Sequence, residues 1–85
     1  MLVGFAAETE DLLANAGRKM LAKNLDLIVV NDVSNPEVGF RSDENKVLIL
    51  HADERIEDLP TMSKRQLADK ILARVVARLR GSANR

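Results

Sequence analysis

Lys19 and Lys23 lie four residues apart, so on a helix both project from one side, in line with Leu12 and Ala16. Two ammonium groups at that spacing suit a polyphosphate, which needs several point charges along its length. Solvation on an exposed helix face is the plainer alternative. Phe5 stands in the run Gly4-Phe5-Ala6-Ala7-Glu8-Thr9, and a ring at the end of a strand can lie flat against a base. It is one of only two aromatic residues, which suits core packing equally well. Lys70, Arg74 and Arg78 recur every fourth residue, yet no aromatics interleave with them as they would in a nucleic-acid stripe. A solvated face, or a partner for the acidic middle of the chain, is expected instead. His51 has no second histidine for a metal site and reads as a surface residue at a strand end. No glycine-rich phosphate loop and no nucleophile–base pair is present.

Thirteen basic and thirteen acidic residues cancel, which removes the overall positive field of a nucleic-acid binder. The cancellation is uneven along the chain. Residues 25–60 hold nine acids against three bases, whereas 61–85 hold seven bases against one acid. The absence of cysteine excludes disulfides and thiolate chemistry and is compatible with a reducing compartment. No segment reaches the roughly 18 to 20 apolar residues of a membrane span. At 85 residues the core must be thin.

These residues need elements to position them. Leu2 to Ala6 is too short for a helix and reads as a strand covered on both faces. Thr9 is the expected N-cap of a helix that runs to about Lys23, with Glu10 and Asp11 in its first turn and Leu13, Gly17, Met20 and Leu21 forming its apolar side. Asn24 can close that helix in a left-handed conformation. Leu25 to Val30 is a second strand, and the whole unit has the length of a right-handed, parallel β-α-β crossover. A turn-rich loop around Pro36 follows, then an antiparallel hairpin from Lys46–His51 and Arg55–Leu59. Ser63-x-x-Gln66 is a capping box for a last helix that buries Leu67, Ala68, Ile71, Leu72, Val75 and Leu79 and ends at Gly81. An apolar start at Met1 is unusual for a domain, whose first residues are commonly frayed and polar. The chain is therefore expected to be a piece of a larger protein.

Three segments, taken in order, carry a resemblance. They are Val3-Gly4-Phe5-Ala6-Ala7-Glu8-Thr9, then Ala16-x-x-Lys19-x-x-x-Lys23-Asn24-Leu25-Asp26-Leu27-Ile28-Val29-Val30-Asn31-Asp32-Val33, then Gly39-Phe40-x-Ser42-Asp43-x-Asn45. Together they closely resemble the C-terminal end of phosphopantothenate–cysteine ligase, usually fused in bacteria to phosphopantothenoylcysteine decarboxylase. The likeness covers almost the whole chain in order and spacing.

The resemblance implies an α/β, partial Rossmann-like three-layer fold, with residues 1–80 as the C-terminal portion of the CTP-binding ligase domain and 81–85 as a polar tail. It implies a ligase of coenzyme A biosynthesis that activates the carboxylate of 4′-phosphopantothenate with CTP, releases pyrophosphate, and lets the amine of cysteine displace CMP. The family's CTP-binding phenylalanine and two lysines fall on Phe5, Lys19 and Lys23. Mg2+ assists that reaction; FMN belongs only to the decarboxylase domain, outside this chain. The implied protein is a cytoplasmic homodimer without nucleic-acid or membrane partners, and its hairpin is a plausible interface. By itself the chain is expected to be catalytically silent. The alternative from another class is a noncatalytic interaction module using the basic last helix.

Overall fold

The computed structural model describes residues 1–34 and 44–83. Pro36 and the Gly39 to Asp43 part of the third family segment lie outside the described residues. Strand β1 (Val3–Glu8) leads into helix α1 (Leu12–Lys23), which returns the chain to strand β2 (Leu27–Asp32). Strands β4 (Val47–His51) and β5 (Ile56–Asp58) form the hairpin, while the short β3 (Glu44–Asn45) and β6 (Met62–Ser63) pair beside it. Helix α2 (Lys64–Ala83) completes the described chain.

The main sheet has the order β1-β2-β4-β5. β1 and β2 run parallel, as a crossover of this length requires, with Phe5 opposite Val29 and Ala7 opposite Asn31. β4 runs antiparallel to both β2 and β5. The β2–β4 pairing and the β3–β6 ribbon join residues distant in sequence, so local turn signals do not announce them.

Period-two alternation sends side chains to two separate apolar layers. On one face Ile28, Val30 and Leu50 pack with Ala16 and Met20 of α1; on the other Leu27, Val29, Val47 and Ile49 pack with Leu59 and Leu67. β2 is the strand covered on both sides, with Leu27 to Val30 all buried. Burying each of its large side chains contributes about 1.5–3 kcal/mol, so β2 carries much of the fold.

β1, expected to be covered on both faces, is instead an edge strand whose pattern alternates, leaving Phe5 and Ala7 exposed. α1 also differs from expectation. Thr9 does not cap it: Asp11, in the left-handed region at φ 48°, occupies the N-cap position without a side-chain cap bond, so Glu10 and Asp11 precede the first turn. Its inward stripe is Leu12, Ala16 and Met20, while Leu13 and Leu21 point outward. A small residue lets the helix sit close to the sheet, and Ala16 serves that contact. Asn24 closes α1 at φ 53°, its N–H reaching back to Leu21.

The capping box of α2 forms in both directions: the Gln66 N–H donates to Ser63 Oγ (3.1 Å), and the Ser63 N–H to Gln66 Oε1 (3.2 Å). α2 buries Leu67 and partly covers Ile71 and Val75, but Leu72 and Leu79 are exposed. A 20-residue helix spans about 30 Å and overruns strands of three to six residues. The helix also continues through Gly81, which has no positive φ and is no left-handed cap.

Candidate functional site

The crossover places the carboxyl ends of β1 and β2 side by side, the position where open α/β sheets gather ligands. On the α1 side of that end, Glu8 closes β1 and is largely buried. Its carboxylate accepts from Lys19 Nζ at 2.5 Å and from Asn15 Nδ2 at 3.3 Å. Glu8 therefore anchors the Lys19 ammonium to the end of β1. Lys23 stands one turn further along α1 and is exposed. Because Ala16 faces the sheet, the line of residues that includes both lysines borders the buried stripe.

Phe5 lies elsewhere. It is the third of six residues in β1, within the strand and not at its end, and 71% of it is exposed. Strand alternation puts it with Val3 on the α2 side of the sheet, opposite Ala6 and Glu8. There it borders a shallow groove of about 230 Å³ whose walls include Val29, Asn31, Asn45, Lys64 and Leu67. The fold thus brings Lys19 and Lys23 together but holds Phe5 on the other face. A single ligand touching all three must pass over the open edge or the carboxyl end of β1.

Asn31 and Asp32, the last two residues of β2, have distinct surroundings. Asp32 accepts from the backbone N–H and the hydroxyl of Ser34, which hold its carboxyl below the usual range and fix the turn after β2. Asn31 lines the groove, while its Oδ1 is shielded from solvent and accepts no hydrogen bond among the described residues.

The opposite end of the sheet holds a second polar cluster that sequence reading missed. His51, expected at the surface, is 4% exposed. Its Nε2 lies 2.7 Å from Glu57 Oε2, and its Nδ1 lies 3.4 Å from Arg55 Nη2. A carboxylate only accepts and a guanidinium only donates, so the proton belongs on Nε2. Arg74 of α2 grips the same carboxylate, with Nε 2.9 Å and Nη2 2.8 Å from Oε1. Hydrogen bonding from Arg74, then from His51, holds the Glu57 carboxyl down at about 2. The acidic middle segment does find a basic partner on the last helix, as expected, and that partner is Arg74.

The family described as DNA/pantothenate metabolism flavoprotein C-terminal domain matches residues 1–79. This chain belongs to that family. Its family segment is 48% identical, over 77 residues, to the coenzyme A biosynthesis bifunctional protein CoaBC of Bacillus subtilis (strain 168), covering 91% of this chain and 19% of that protein. It is also 36% identical over 76 residues to a cysteine/cysteine sulfinic acid decarboxylase from an unknown prokaryotic organism, covering 89% of the chain and 21% of the relative. A crystal structure of the C-terminal domain of CoaBC superimposes with a TM-score of 0.78 at 31% identity, covering 95% of this chain and 36% of that one. The α/β fold of the DNA/pantothenate metabolism flavoprotein C-terminal domain is therefore shared, and the chain spans about a fifth of the length of the curated relatives it matches. No described helix is long and apolar enough to cross a membrane.

Proposed function

We propose that this chain supplies part of the CTP site of a phosphopantothenate–cysteine ligase acting in coenzyme A biosynthesis. The observation that carries the reading is the Glu8–Lys19 pair, which holds an ammonium at the carboxyl end of β1 beside a second lysine. Likeness to CoaBC and to its C-terminal domain supports the pathway.

In this reading the base lies against the exposed Phe5 ring and the triphosphate crosses the end of β1 toward α1. Lys19 and Lys23 neutralise phosphate oxygens and stabilise the charge that grows on pyrophosphate as the substrate carboxylate attacks the α-phosphorus. Glu8 orients Lys19, which spares the ammonium a search among rotamers. Among the described residues no three His, Cys, Asp or Glu side chains converge as a metal site. Glu8 is already engaged, so these residues would not hold Mg2+, which in this reading would serve to offset triphosphate charge. Phosphopantothenate and cysteine contacts belong to parts of the protein beyond this chain, as does any flavin. The homodimer and cytoplasmic location complete the proposal, and the 85 residues alone carry no turnover.

Lys19→Ala and Lys23→Ala in the complete enzyme carrying this chain test the reading. Each is expected to lower kcat/KM for CTP by about a hundredfold, about 2.7 kcal/mol of transition-state stabilisation. Unchanged kcat and KM for CTP would remove the proposal.

A further inference from the structure

Asn15 is joined to three parts of the chain at once. Its backbone N–H, bonded to the Asp11 carbonyl at 2.9 Å, belongs to the first turn of α1. Its Nδ2 lies 3.3 Å from Glu8 Oε2 at the end of β1 and 3.0 Å from the Glu10 carbonyl in the connection, while its Oδ1 accepts from Arg18 one turn along the helix. A carboxylate and a carbonyl only accept and a guanidinium only donates, so these neighbours admit one orientation of the amide, with its two N–H bonds toward Glu8 and Glu10. The Glu8 carboxylate is divided in turn: Oε1 holds the Lys19 ammonium and Oε2 the Asn15 amide, on a side chain only 13% exposed. Opposite Glu8 in the β1–β2 register stands Asp32, an acid engaged with Ser34, so β2 gives Glu8 no side-chain donor there.

A lysine ammonium rides on a flexible four-carbon stem, so its place is set by whatever holds its charge. Here that holder is a glutamate with torsions of its own. Without Asn15, Oε2 has no fixed partner among the described residues, and the carboxylate is free to swing with the ammonium attached to it. Resting on the CTP reading above, we propose that Asn15 is a positioning residue: it fixes Glu8 so that Glu8 holds the Lys19 ammonium where phosphate charge develops. Arg18 fixes the amide, and Asn15 itself touches no substrate. A misplacement of about 1 Å near reacting groups costs up to about a hundredfold in rate, and a partial loss of restraint, with the ion pair kept, is expected to cost about tenfold.

The test uses the complete enzyme and the ratio of kcat/KM for CTP to kcat/KM for cysteine. Unfolded protein lowers both constants alike and leaves the ratio unchanged, whereas a misplaced ammonium slows the step that releases pyrophosphate, before cysteine reacts. Asn15→Ala is expected to lower the ratio about tenfold, but by less than about twofold when Lys19→Ala is already present, because the group it positions is then gone. Asn15→Asp keeps the shape and puts a carboxylate where the donors were, so its ratio is expected to fall at least as far as that of Asn15→Ala. If Asn15→Ala yields no active enzyme, the Asn15→Asp ratio decides. An unchanged ratio in either single variant, or an equal fall with and without Lys19, overturns the assignment. Should Lys19→Ala lower the ratio while Asn15→Asp keeps it, Asn15 alone loses its role. Should Lys19→Ala itself leave the ratio unchanged, the nucleotide reading fails and this assignment with it.

Discussion

The two ends of the central sheet differ in how completely their polar side chains satisfy one another. At the amino end of β2, His51, Glu57, Arg74, Arg55 and Asp53 close on one another around a hollow of about 400 Å³. Toward the carboxyl end Glu8 holds Lys19 and Ser34 serves Asp32, but Asn31 Oδ1 has no partner among the described residues, Lys23 is exposed and the Phe5 ring, further back in β1, lies open. Size does not separate the two regions, since the larger hollow is the self-satisfied one. The difference lies in where the hydrogen bonds go. Groups that satisfy each other fasten α2 to the hairpin, whereas groups left open keep their capacity for a ligand.

The contrast is broken most readily at the closed end. Arg74→Ala leaves Glu57 without its strongest partner and is expected to cost about 1–2 kcal/mol in urea unfolding, the partial exposure of the pair keeping it below a fully buried one. Arg78→Ala, one turn along the same helix, should change stability by less than about 0.5 kcal/mol. Equal costs for the two arginines would show that the cluster does not fasten the helix.

Acid sharpens the same point. The Glu57 carboxyl is lowered from 4.5 to about 2 in the folded chain, so its contribution is complete above pH 4.5 and is lost as the pH falls toward 2. Solvent screening on a side chain 26% exposed reduces that contribution to about 1 kcal/mol. The stability gap between the parent and Glu57→Gln should therefore narrow across that window. A gap that stays constant from pH 7 to 2 would mean the ion pair contributes nothing.

The smallest effect belongs to the open end. Phe5→Ala should alter stability by less than about 0.5 kcal/mol, because most of the ring faces solvent. A loss of several kcal/mol would make Phe5 a packing residue and erase the distinction between the two ends.

Local chemistry was legible where a motif is self-contained. The capping box at Ser63 and Gln66, the left-handed Asn24, the parallel crossover and the antiparallel hairpin all follow from short stretches of chain. Residues whose surroundings arrive from far away were not. His51 is buried because Arg74, 23 positions later, supplies the charge that settles Glu57 between them. The inward side of α1 was misphased because leucines weigh more than alanine in a hydrophobic pattern, while contact with the sheet selected Ala16. For the candidate site, the residue types and the lysine spacing could be read directly. Their division between two faces could not, because it depends on the register of β1 against β2 and on which helix covers each side.

β1 has a further consequence through its backbone. Among the described strands its outer edge has no neighbour, and from Val3 to Ala7 it carries neither charge nor proline, the usual guards of a free edge. Such a border is adhesive. It accepts another extended segment by adding hydrogen bonds at almost no further cost in shape, whether that segment continues the sheet or comes from a second molecule. Solubility of these 85 residues therefore depends on what lies against a six-residue border.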